Sequence, residues 1–192
     1  MGMITPVAIG RVFVGEEPDD EDIAILSASG FRSIVCLTRE SDTGEPLEDR
    51  ERAAADAAGL TFVRLPSAGA VTPQMVRAFR EMVRVLPRPI YLHCGFGRDA
   101  AALALVAEAD VLLDPAVVID TLTGRGIRMP PKLIAEVARL RAEIARIDRR
   151  TAAVVSASGW ARAPRFRPWG GEFSAVKASH ASHRLAFGAF TR

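Results

Sequence analysis

Three short β-rich runs, Phe31–Leu37, Leu60–Leu65 and Ile90–His93, each stand after a longer segment of helical pattern. This alternation restricts the chain to an α/β fold with a mostly parallel central sheet flanked by helices in three layers. An opening hairpin or an edge strand is expected from Val7–Ile9 and Arg11–Val14, with Gly10 between them. The helices fall at Asp19–Ser29, Pro46–Ala58, Thr72–Leu86, Ala100–Leu113, Asp114–Leu122 and Lys132–Arg149. Their limits come from start and stop residues: acids after Pro18, Gly30, Gly59, Thr72 before Pro73, Asp114 before Pro115, and Pro130-Pro131. Parallel sheets place ligands beyond the carboxyl ends of their strands. Two segments lie there, Thr38-Arg39 and Cys94–Asp99.

The 192 residues are 49% apolar and 25% charged, the balance of a soluble globular chain with one sizeable core. The most apolar stretch, Ala100–Leu113, is interrupted by Glu108 and Asp110 and is too short for a membrane span, so a buried helix is expected. The start, Met1–Pro6, lacks the basic flank and apolar run of a secretory leader. Two cysteines make no disulfide framework, and the reading is cytoplasmic. With three histidines they are too few and too scattered for a structural zinc site, so no metal and no cofactor are expected.

The net charge of +2 conceals an asymmetry. Residues 151–192 hold six Lys/Arg and one acid, Glu172, for +5, which leaves −3 on the first 150. The expected organisation is an α/β domain over 1–150 and a basic, disordered tail over 151–192. The tail mixes Arg162, Arg165, Phe166, Arg167 and Trp169, a composition also found on nucleic-acid or membrane surfaces. The acidic balance of the folded part argues against nucleic acid as its partner.

The segment Leu92-His93-Cys94-Gly95-Phe96-Gly97-Arg98-Asp99-Ala100 carries the chemistry. A strand ends at His93, a helix follows Gly97, and glycines on both sides of Phe96 let the backbone curl. Such a turn aims successive N–H groups and the positive end of a helix dipole into one concavity. A thiolate at Cys94 would be stabilised there and would lie below a bound tetrahedral oxyanion, the arrangement for nucleophilic displacement on phosphorus or sulfur. The plainer alternative makes Cys94 a small buried apolar residue beside a tight turn. Cys36, inside a strand, reads as packing, with a regulatory disulfide to Cys94 as the lesser alternative.

Four segments, in order and spacing, carry a family resemblance: Val12–Pro18, Gly30–Arg39, Ala57–Pro66 and the cysteine loop. Over about residues 8–113 the chain resembles the beta-lactamase-hydrolase-like phosphatases, a bacterial branch of the dual-specificity and tyrosine phosphatases. The resemblance implies a cysteine-phosphatase-like fold with Cys94 as nucleophile, forming a phosphocysteine. It also implies an anion cradle at Gly95, Phe96, Gly97 and Arg98, with His93 orienting the thiol. The expected substrate is a small anion or a phosphoprotein.

Two departures stand out. The family's loop arginine is expected five or six positions after the cysteine, where this chain has Asp99 and Ala100; Arg98 comes one place early. A guanidinium clamps phosphate with two parallel hydrogen bonds, a geometry a displaced neighbour does not automatically reproduce. Asp99 either faces inward and repels the anion or turns outward as a helix cap. The second departure is the general acid. Pro66–Thr72, where the resemblance implies an aspartate, contains no carboxylate or histidine; Asp42 and Glu45 are substitutes by position, or else solvated loop charges. Three functions follow: an impaired Cys-dependent phosphatase, a sulfurtransferase carrying a persulfide on Cys94, or a non-catalytic pseudophosphatase that binds an anion or partner.

Overall fold

The computed structural model describes residues 4–37, 45–67, 69–109 and 114–157. Two units are distinguished, Met1–Ala153 and Val154–Arg192, and of the second only the end of a helix is described.

The strands are β1 (Val7–Ile9), β2 (Val12–Gly15), β3 (Ser33–Cys36), β4 (Thr61–Arg64) and β5 (Ile90–His93). The first two form the expected antiparallel hairpin, and the sheet runs β1-β2-β5-β3-β4 with every other pairing parallel. The last strand in sequence therefore occupies the middle, between β2 and β3. In register, Cys36 of β3 stands opposite His93 of β5.

Helices α1 (Asp20–Ala28), α2 (Glu45–Ala57), α3 (Pro73–Val85), α4 (Arg98–Ala107), α5 (Pro115–Gly124) and α6 (Pro131–Ala157) complete the three layers. On one face Ile23 and Leu26 of α1 and Ala55 of α2 pack with Phe31, Ile34, Cys36, Phe62 and Tyr91. On the other, α3, α4, α5 and α6 bury Phe79, Leu103, Leu122 and Leu140 against Val35, Leu37, Leu92 and Cys94. The alternation of side chains along a strand makes this division: Tyr91 and Cys36 face one layer, Leu92 and Cys94 the other.

Local chemistry places the ends. Asp19 caps α1 in a reciprocal box with Asp22, Thr72 accepts from Met75 N–H at the start of α3, and Asp114 does the same for Ala116 at α5. Two helices differ clearly in extent from the sequence expectation. Helix α4 begins at Arg98, directly after Gly97, which supplies its cap at φ +69°, and it ends at Ala107 rather than Leu113, with Glu108 as its C-cap. Helix α6 continues past Arg149 to Ala157; Thr151, Ala152 and Ala153 are solvent-exposed, and alanine favours helix without a packing partner. The remainder of the tail, from residue 158, lies outside the described residues.

Candidate active site

Strand β5 delivers Cys94 at the centre of the sheet's carboxyl edge. The chain then turns through Gly95, Phe96 and Gly97, with the Gly97 N–H donated to the Cys94 carbonyl at 3.1 Å. The first α4 bond runs from Ala101 N–H to the Gly97 carbonyl at 2.9 Å. The amides of Arg98, Asp99 and Ala100 therefore precede the intrahelical ladder and are available to an anion at the helix N-terminus.

The glycine at 97 is required twice over. Its positive φ disfavours any side chain, and a Cβ there would stand 2.9 Å from Ile127 Cδ1 and 3.0 Å from the Gly15 carbonyl oxygen. The loop is thus seated directly on the end of β2. Gly15 itself leaves room for Tyr91, whose hydroxyl would lie 2.1 Å from an added Cβ. Burial, reinforced by the carboxylates of Asp22, Glu16 and Glu51, holds the Tyr91 phenol far above its ordinary range. It stays protonated and donates to the Glu16 carbonyl at 2.7 Å.

Cys94, 8% exposed, lines a cavity of about 150 Å³ with Leu37, Ser67, Gly95, Phe96, Arg98 and Asp99. Of the residues expected to form the cradle, Gly95, Phe96 and Arg98 border this cavity together with Cys94, whereas Gly97 does not. Asp99 is not the helix cap, since that position belongs to Gly97 and carries no side-chain hydrogen bond. Instead Asp99 borders both this cavity and a neighbouring one of about 320 Å³, where Arg98, Lys132 and Glu136 also stand. The Arg98 guanidinium lies over the exposed Phe96 ring at 5.1 Å, a cation–π contact that holds it at the mouth.

His93 points the other way. Its imidazole is 1% exposed, stacked on Tyr91, and 2.6 Å from Glu51 of α2. It lines neither cavity. Cys36 shares that face, so Cys36 and Cys94 belong to different cores and neither is in a disulfide. Side chains on opposite faces point apart, which rules against the regulatory disulfide. Donor atoms of Cys36, Glu51 and His93, far apart in sequence, all lie within 4.8 Å of one another.

Asp42, and the side chain of Glu45, lie outside the described residues. Sequence reasoning passed over Ser67 and Glu17. Ser67 follows β4 at the same sheet edge as Cys94, so the strand-end rule could have found it. Glu17, whose carboxylate is 4.0 Å from an added Cβ on Gly95, gave no signal of its own among the acids around Pro18. Glu136, at the neighbouring cavity, is gripped by Arg139, whose hydrogen bonds hold its carboxyl below the usual range. It is a poor proton donor at neutral pH.

No helix among the described residues is long and apolar enough to cross a membrane. Among proteins of known structure, the fold resembles a DUF442 protein from Shewanella putrefaciens CN-32 (TM-score 0.58, 18% identity, covering 74% of this chain and 95% of that one). It also resembles the kinase associated phosphatase (TM-score 0.56, 16% identity, 74% and 95%). A third likeness is to the core catalytic domain of the PP-IP phosphatase SIW14 from S. cerevisiae (TM-score 0.56, 17% identity, 81% and 93%). In sequence it is 32% identical over 101 residues to a beta-lactamase hydrolase-like protein of Agrobacterium fabrum, and 27% over 100 residues to one from Xylella fastidiosa. These alignments cover 52% and 51% of this chain but only 23% of each relative. Residues 10–110 match the phosphatase-like domain of the beta-lactamase hydrolase-like proteins, and the chain belongs to that family.

Proposed function

We propose that the chain hydrolyses phosphate monoesters through a phosphocysteine on Cys94, slowly and with a preference for aryl esters. The observation that carries this reading is the placement of Cys94 in a small cavity walled by Gly95, Phe96, Arg98 and Asp99 at the N-terminus of α4. The Cys94 thiolate attacks phosphorus, and the bond from phosphorus to the leaving oxygen breaks with its electron pair departing on that oxygen. Water then attacks the phosphocysteine, the P–S bond breaks, the pair returns to sulfur, and inorganic phosphate leaves with the proton passing to solvent. An aryl oxide departs without protonation, so the lack of a carboxylate in Pro66–Thr72 matters least for such esters. For poorer leaving groups that lack costs roughly 10²–10⁴ in rate. Asp99 at the wall opposes the dianion, while Arg98 at the mouth attracts it.

The test is phosphate release from an aryl phosphate by the wild type and by Cys94→Ser. Release abolished by the substitution supports the reading; release that survives it defeats it. Asp99→Asn is expected to raise kcat/KM by relieving repulsion.

A second reading is favoured by the same Asp99 and the same acid-free loop. Carrying sulfane sulfur requires a thiolate and a cradle but neither an arginine clamp nor a general acid. Cys94 would attack the outer sulfur of thiosulfate, the S–S bond would break, sulfite would leave, and a persulfide would remain on Cys94. A mass gain of one sulfur on Cys94, without phosphatase turnover, would favour it. Anion binding with neither reaction would make the chain a pseudophosphatase.

A further inference from the structure

We propose that Cys36, Glu51 and His93 form a binding site for a zinc-class divalent cation on the face of the sheet opposite Cys94. The three come from three elements, β3, α2 and β5, and the register that sets Cys36 beside His93 fixes two of them on rigid backbone. All are buried, at 5%, 8% and 1% exposure, and their donor atoms lie within 4.8 Å of one another.

Two observations point to a ligand rather than to packing alone. The His93–Glu51 contact of 2.6 Å has the separation of an ion pair but not the alignment of a hydrogen bond. Both ring nitrogens of His93 and Oε1 of Glu51 are buried without a hydrogen-bond partner, a costly arrangement for groups of this polarity. A cation bound between them would satisfy a lone pair on each. At 2.6 Å the pair stands closer than two ligands of one zinc ion, which are about 3–4 Å apart, so loading requires a small rotation of Glu51.

The donor set matches the ion in kind and in charge. Thiolate, imidazole and carboxylate are the usual zinc ligands, and three protein ligands leave a fourth position for water. A thiolate and a carboxylate around a divalent cation sum to zero, so the interior carries no net charge. Access exists on the solvent side. Glu51 also walls a cavity of about 290 Å³ lined by Glu17, Pro18, Asp19, Asp20 and Arg50. Arg50 is paired with Asp20 at 3.2 Å, which leaves the approach predominantly negative and attractive to a cation.

The experiment is a titration of the full chain, stripped of metal by chelation, with cobalt(II) as a spectroscopic substitute for zinc. One equivalent is expected to bind with a thiolate-to-cobalt charge-transfer band, and zinc is expected to displace it and raise the thermal midpoint. The band is retained in Cys94→Ser, whose thiol lies on the other face, and is lost in Cys36→Ala. Glu51→Gln keeps a weaker band with affinity reduced at least about tenfold. The proposal is overturned by no saturable binding, by a band that disappears with Cys94 rather than Cys36, or by affinity indifferent to Glu51→Gln. Uptake without the band, through His180 and His183 of the tail, overturns it as well.

Discussion

Arg11 grips the carboxylate of Glu108 from three donors: its backbone N–H at 2.9 Å, its Nε at 2.8 Å and its Nη2 at 2.8 Å. The Glu108 side chain is fully buried at the C-terminal end of α4, where the helix dipole disfavours a negative charge, so it depends on this partner. The pair fastens the far end of the helix to the β1–β2 turn. Arg11→Met is expected to cost about 2–3 kcal/mol, less than a fully buried pair because Arg11 is 39% exposed. Urea denaturation with an unchanged slope would check it; a cost near zero would mean Glu108 finds another partner.

Gly15 and Tyr91 should behave as one unit. Gly15→Ala puts a methyl 2.1 Å from the Tyr91 hydroxyl, and the expected loss is about 1–3 kcal/mol, as for overpacking. Tyr91→Phe alone loses one hydrogen bond, about 0.5–1.5 kcal/mol. The double substitution should be less destabilised than the sum, because the clashing atom is gone. Rescue is partial, since Tyr91 Cζ would still be 2.8 Å away. Additivity in the double-mutant cycle would contradict this packing.

Gly97→Ala attacks the cradle. The left-handed backbone costs about 1–2 kcal/mol with a side chain, and the new methyl meets the immobile Gly15 carbonyl. Affinity for a phosphate-like oxyanion such as vanadate is expected to fall at least tenfold, since the amide array is displaced. Isothermal titration reads the loss directly, and an unchanged dissociation constant would separate anion binding from this turn.

Phe96→Ala tests the placement of Arg98. An exposed cation–π contact is worth about 0.5–1 kcal/mol, so releasing the guanidinium should weaken oxyanion binding about two- to fivefold. The Arg98→Met variant should bind no more tightly than Phe96→Ala. If Phe96→Ala binds more tightly than the wild type, the ring is restraining Arg98 away from the anion instead.

The layered fold was legible in the sequence because its punctuation is strong: Pro-initiated helices, capped starts, and glycines at the stops. Ile90–His93 is read without error, and the hairpin around Gly10 with its second strand displaced by one residue, to Val12–Gly15 from Arg11–Val14. Helix ends were less legible. Nothing in residues 151–157 signals burial, yet alanine continues a helix in solvent. For the site, Cys94 and its glycines declare a strand-to-helix turn, but adjacency in sequence is a poor guide to which side chains meet at the end of a strand. His93 adjoins the thiol in sequence, yet strand alternation turns it to the opposite core, against Tyr91 and Glu51. Glu51 was invisible for a related reason: it sits in a helix dense with charge, and only the tertiary fold selects which of those acids is buried.

Helix α4 is buried from Ala100 through Ala107. Its aligned peptide dipoles run through a medium that counterions cannot enter, so the field at its N-terminus is little affected by dissolved salt. An oxyanion held by those amides should lose affinity only weakly as ionic strength rises, unlike one attracted by the exposed arginines of the surface. The cradle would then hold its ligand by a means that the surrounding electrolyte does little to weaken.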